Sequence, residues 1–148
     1  MRPEPGRVLY TIAGELMGQV APQVATPFGQ QTVGLSATMA MILAQELDRA
    51  ASRLVEENRV LDSLLGAASN VVRDTSLLGE INSAQQATTT DFHVSALQAR
   101  NDVLRALLIR VHAEVELADS AEAAALNDSI WAELQESTRR RHIASPLG

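Results

Sequence analysis

From Leu35 to Ala68 the chain runs without a proline, and the first glycine after Gly34 is Gly66. Apolar side chains recur along this run at Met39, Leu43, Leu47, Ala50, Leu54, Leu61 and Leu65, and Asn58 takes the one remaining stripe position. The steps are 4, 4, 3, 4, 4, 3 and 4. Such spacing predicts an α-helix, because residues three and four apart share one helical face. The pattern repeats every eleven residues, not every seven, which keeps the seam nearly straight or slightly right-handed. At the usual rise per residue this helix is about 50 Å long, far beyond the average globular helix. One short chain has little else with which to cover it. A partner is therefore expected along the long-helix seam, most simply a second copy in a homodimer.

The composition points to the same class. With 148 residues the chain is long enough for one helical-bundle domain, residues 1–148, with a sizeable core. Hydrophobic residues make up 46% but aromatic ones only 3%, so the core must be built from Leu, Ala, Val, Ile and Met. Aliphatic cores rich in alanine suit close helix packing, whereas sheets favour β-branched and aromatic residues. The expected fold is all-α, an antiparallel bundle of about four helices plus a short N-terminal one.

The remaining elements follow from periodicity and caps. A first helix is expected over Arg7–Gln19, with Leu9, Ile12, Leu16 and Val20 on one face. Pro22 and Pro27 close it, and the segment to Gly34 reads as a loop. A short helix is expected around Ser76–Gln85, followed by a loop, Thr88 to Asp91, in which Asp91 is the N-cap of the next helix. That helix carries Val94, Leu97, Asn101, Leu104, Leu108, Val111 and Val115 to about Leu117. Asp119 with Glu122 has the spacing of a capping box for a last helix bearing Leu126, Ile130, Trp131 and Leu134. The run Arg139, Arg140, Arg141 suits its end, where cations complement the helix dipole.

Several function classes are disfavoured. A net charge of −6 is the wrong sign for a nucleic-acid-binding surface. Every basic residue other than histidine is arginine, which reads as the coding bias of a GC-rich bacterial genome. No cysteine is present, so disulfides and thiolate chemistry are out. Leu16–Gln45 carries no charge, yet prolines, glutamines and glycines interrupt it, and a spanning helix needs about 20 apolar residues. No membrane span is expected. The N-terminus lacks a secretory pattern, so the expected location is cytoplasmic.

The two long helices echo each other at an offset of 43 residues: Leu54 with Leu97, Asn58 with Asn101, Leu61 with Leu104, and Leu64-Leu65 with Leu107-Leu108. Both place an asparagine on the apolar stripe. A buried asparagine is costly unless paired, and its best-attested use is to fix register and partner. The alternative is that Asn58 and Asn101 line a polar ligand site.

No nucleophile elbow, phosphate loop or dinucleotide fingerprint occurs. The best metal candidates are His112 and Glu116, one helical turn apart, with Glu114 between them. The step resembles the H-x-x-x-E spacing of hemerythrin-like proteins, but only His93 and His142 remain as further imidazoles, and no E-x-x-H pair of the di-iron type is present. The bland reading is a boundary histidine beside solvated carboxylates, and no cofactor is implied. Glu46, Asp48, Glu56 and Glu57 read as the wet face of the long helix. Arg139, Arg140 and Arg141 either bind an anion or acidic partner, or simply finish a helix. Trp131 reads as core, or as an interface anchor if exposed.

The segment Leu9–Leu65, with its run AMILAQELDRAASRLVEENRVLDSLL, resembles small helical bacterial proteins encoded beside acyl-CoA dehydrogenases and aminoglycoside-phosphotransferase-like kinases. The resemblance covers under half the chain. It implies an accessory role near acyl-CoA metabolism and transfers no functional residue.

The expected function is that of a non-enzymatic interaction or accessory protein, binding a protein partner through apolar helix faces. The alternatives are a ligand-binding or metal-assisted bundle enzyme around His112 and Glu116, and an assembly or export chaperone.

Overall fold

The computed structural model describes residues 4–87 and 90–143. The fold is all-α: α1 is Pro5–Glu15, α2 Pro27–Ala68, α3 Thr75–Gln86, α4 Val94–Val115 and α5 Ala121–Arg141, with no strand among the described residues. A π-helical turn over Leu16–Val20 and a 3-10 turn over Ala21–Gln23 follow directly on α1. The chain divides into two compact units, Met1–Ala50 with Ile143–Gly148 and Ala51–His142. The first part of α2 belongs to the former unit and its last 18 residues (51–68) to the latter.

In the first unit the long helix starts earlier than expected. Pro22 to Gly34 is not a loop, because Pro27 opens α2 instead of closing the preceding helix. A proline at the first helical position loses nothing, since its missing N–H would have no partner there. Thr26 acts as the cap: its Oγ1 accepts from the Gly29 amide at 3.2 Å and its carbonyl accepts from Gln30 at 3.0 Å. The Gln30 side chain donates back to the Val24 carbonyl at 3.0 Å, tightening the turn. Gly29 is needed there, because a β-carbon would lie 2.4 Å from Val24 Cγ1.

The second unit is an up-down-up-down arrangement read from its cross-helix hydrogen bonds. Arg100 Nη1 reaches the Ala84 carbonyl while Arg110 pairs with Glu80, so α3 and α4 run antiparallel. Arg105 meets Ser137 while His112 meets Asn127, so α4 and α5 are antiparallel as well. Asn58 bonds to Leu97 and Asn101, and Arg73, just beyond α2, bonds to Glu114, so α2 and α4 run parallel. Leu61, Leu65, Leu77, Ile81, Leu104, Val111 and Ile130 form the centre of a continuous apolar core.

Capping residues set the starts of these helices. Asp74 Oδ1 accepts from the amides of Ser76 and Leu77 at the start of α3. Asp91 is not the cap of α4; that position falls to His93, and Asp91 instead accepts from the His93 amide at 2.9 Å in a local turn. Thr88 and Thr89 lie outside the described residues. The cap of α5 is Ser120, not Asp119, with its Oγ accepting from the Ala123 amide at 3.1 Å. Glu122 falls in the first turn, where the dipole still favours it.

Candidate functional site

Two places carry unusual chemistry: a buried polar seam in the second unit and an uncovered apolar surface on the first.

The polar seam begins with the asparagine pair. Asn101 Nδ2 donates to Asn58 Oδ1 at 2.9 Å, and Asn58 Nδ2 donates to the Leu97 carbonyl at 3.0 Å. The echoed leucines on either side, Leu54 with Leu97 and Leu61 with Leu104, are all buried. Two parallel helices in register face each other with equivalent positions at one level, so the echo and the pairing are aspects of one seam. Glu57, read from sequence as a wet-face carboxylate, is fully buried beside them. Its carboxylate accepts from Arg105 Nη2 at 2.9 Å and from Arg141 Nη2 at 2.8 Å, while Arg53 stands 3.7 Å away. Arg105 also donates to Asn101 Oδ1 at 2.8 Å and to Ser137 Oγ at 2.9 Å. Burial alone would push the Glu57 carboxyl up, but the hydrogen bonds and charges of Arg141 and Arg105 outweigh it and hold it below its ordinary value. One hint of this burial is local: Glu57 lies three residues from Leu54 and four from Leu61, on the flank of the stripe. Its arginine partners on α4 and α5 stand 48 and 84 residues away and left no local signal.

The other candidates separate. Arg139 pairs with Glu136 at 2.7 Å, Arg140 with buried Glu133, and Arg141 with Glu57, so each guanidinium of the triplet meets a carboxylate of its own chain. His112 Nε2 lies 2.9 Å from Asn127 Oδ1 and 3.5 Å from Glu116. Glu114 turns elsewhere, accepting from the amides of Arg73 and Asp74. Among the described residues no group of three His, Asp or Glu side chains gathers to hold a metal ion. Trp131 is not core: it is half-exposed and meets His112 edge-to-face at 5.4 Å between ring centres, while its neighbour Ile130 is buried.

The uncovered surface lies on the first unit. Every buried residue described there is an alanine: Ala13, Ala37, Ala44 and Ala50. Met39, Leu43 and Leu47, expected in the seam, are 55–56% exposed, and Leu35 one turn earlier is 63% exposed. Val8, Ile12 and Tyr10 on α1 are also about half exposed. The small residues explain the arrangement. A β-carbon on Gly6 would lie 3.6 Å from the Ala44 carbonyl, so α1 approaches α2 through its smallest positions and leaves the larger ones outside. Between them runs a groove of about 760 Å³, in whose walls Tyr10 and Leu47 stand beside the charged Glu4, Arg7, Asp48 and Arg49.

No protein-family model, curated protein or solved structure matches the chain. No helix among the described residues is long and apolar enough to cross a membrane.

Proposed function

We propose that this chain is a non-enzymatic accessory protein of the cytoplasm, whose N-terminal pair of helices docks on a protein partner. One observation carries the reading. Among the described residues, the first unit buries only alanines while ten of its large apolar side chains stay 41–80% exposed. Alanine burial contributes little, because hydrophobic stabilisation scales with the apolar area removed from water. A helical hairpin of this size without a core needs outside support. The polar seam supplies no rival reading, since its charged groups satisfy one another within the chain.

The test is hydrogen exchange on the full chain at sub-micromolar concentration. Amides of α1 and of residues 27–50 are expected to exchange at least about a hundredfold faster than those of α4, because local opening follows the lack of buried contacts. Equal protection in both units, with light scattering showing a single copy at that concentration, would mean that the hairpin needs no cover and would overturn the proposal. An assembly chaperone is the second reading, favoured by the same lack of a core, with a transient client in place of a lasting partner.

A further inference from the structure

We infer that the cover is a second copy of this chain, the two N-terminal hairpins closing on each other as a four-helix bundle. The inference rests on the docking reading above and names its partner.

The argument starts from charge. The chain carries a net −6, yet Leu16–Gln45 contains no charged residue. Leu35, Met39 and Leu43 lie within that stretch, so two copies that otherwise repel can meet along it without like-charge cost. Charges enter only at its end, where Glu46 and Asp48 flank Leu47 and Arg49 stands 3.9 Å from Glu46.

The area agrees. Leu35, Met39, Leu43 and Leu47, each 55–63% exposed, leave on the order of 400 Å² of apolar surface per copy, close to the apolar portion of one partner's share of a standard stable interface. Leu35, Met39, Leu43 and Leu47 follow one another at steps of four, which sets them on one face of α2 over roughly 18 Å. A two-fold axis brings that row against its own copy, since an isologous interface uses the same patch twice. The alanine contacts within each hairpin leave the large side chains on the outside, where the opposite hairpin can bury them. The same contact fills the deficit of both copies at once.

Light scattering at tens of micromolar is expected to give twice the 15.9 kDa chain mass. Leu43→Glu is expected to weaken self-association by at least about a hundredfold and return the single-chain mass, because two carboxylates would be buried close to the axis. Ile109→Glu, on an exposed position of α4, should leave the double mass unchanged. The helical content of both variants, read by circular dichroism at the same concentration, shows that the second unit still folds. A wild-type mass of one chain at 100 µM, or a double mass that survives Leu43→Glu, would overturn the inference. The docking reading is judged separately. A monomer whose α1 amides exchange fast removes only the second copy, whereas a monomer with a protected hairpin removes both.

Discussion

At the scale of single residues, the seam around Asn58 and Asn101 ties chemistry to register. Replacing Asn58 alone by leucine removes two buried hydrogen bonds, the one to the Leu97 carbonyl and the one from Asn101 Nδ2, which keeps only its longer 3.3 Å bond to Glu57, a cost of about 1–3 kcal/mol. Replacing both asparagines by leucine should recover part of that loss, and urea denaturation of the two singles and the double measures the coupling. Glu57 makes a prediction in pH. Its folded-state pKa lies below its unfolded value, so its contribution to stability is complete above the ordinary carboxylate range and is lost as pH falls through the lowered folded value. Glu57→Gln should be less stable than the parent at pH 7, by about 3 kcal/mol if the arginines are left uncompensated. The gap should narrow steadily on acidification. A gap that stays constant between pH 7 and pH 3 would mean that the charge on Glu57 contributes nothing.

At the scale of elements, the helices were legible where period and caps agreed. α3, α4 and α5 fall within a few residues of the positions that periodicity places them, and the fold class follows from the same pattern. The starts were harder, because neighbouring polar residues compete for one capping role. Asp119 and Ser120 both suit a helix start, and only the backbone decides that Ser120 holds it. Pro27 is ambiguous in a similar way, since proline both ends helices and begins them. Met39, Leu43 and Leu47 mark a limit of another kind: periodicity shows which face of a helix is apolar, not what covers it. Glu57 was misread because its partners come from other helices, and a surface carboxylate looks the same in sequence. The cap assignments are open to direct trial. Thr26→Ala should remove about 1 kcal/mol of local stability from the first turn of α2, seen as faster amide exchange at Gly29 and Gln30. Asp74→Ala should lower the melting stability of the second unit by a similar amount, because it caps a helix packed into the core.

At the scale of the whole molecule, the two units differ in how they meet the cost of folding. The second unit buries leucines, isoleucine and valines around a satisfied polar seam. The first, among its described residues, buries alanines alone. Stability is therefore unevenly distributed, and thermal melting at low concentration should show the hairpin loosening before the second unit, with the lower transition rising as concentration increases. A single concentration-independent transition would contradict both the uneven core and self-association. The ion pair between Glu57 and Arg141 has a topological consequence as well. It joins residues near the two ends of the second unit, so the chain between them closes on itself like a clasped loop. A single nick in the turn between α4 and α5 would open that loop without releasing either fragment, and proteolysis there should yield two peptides that travel as one particle.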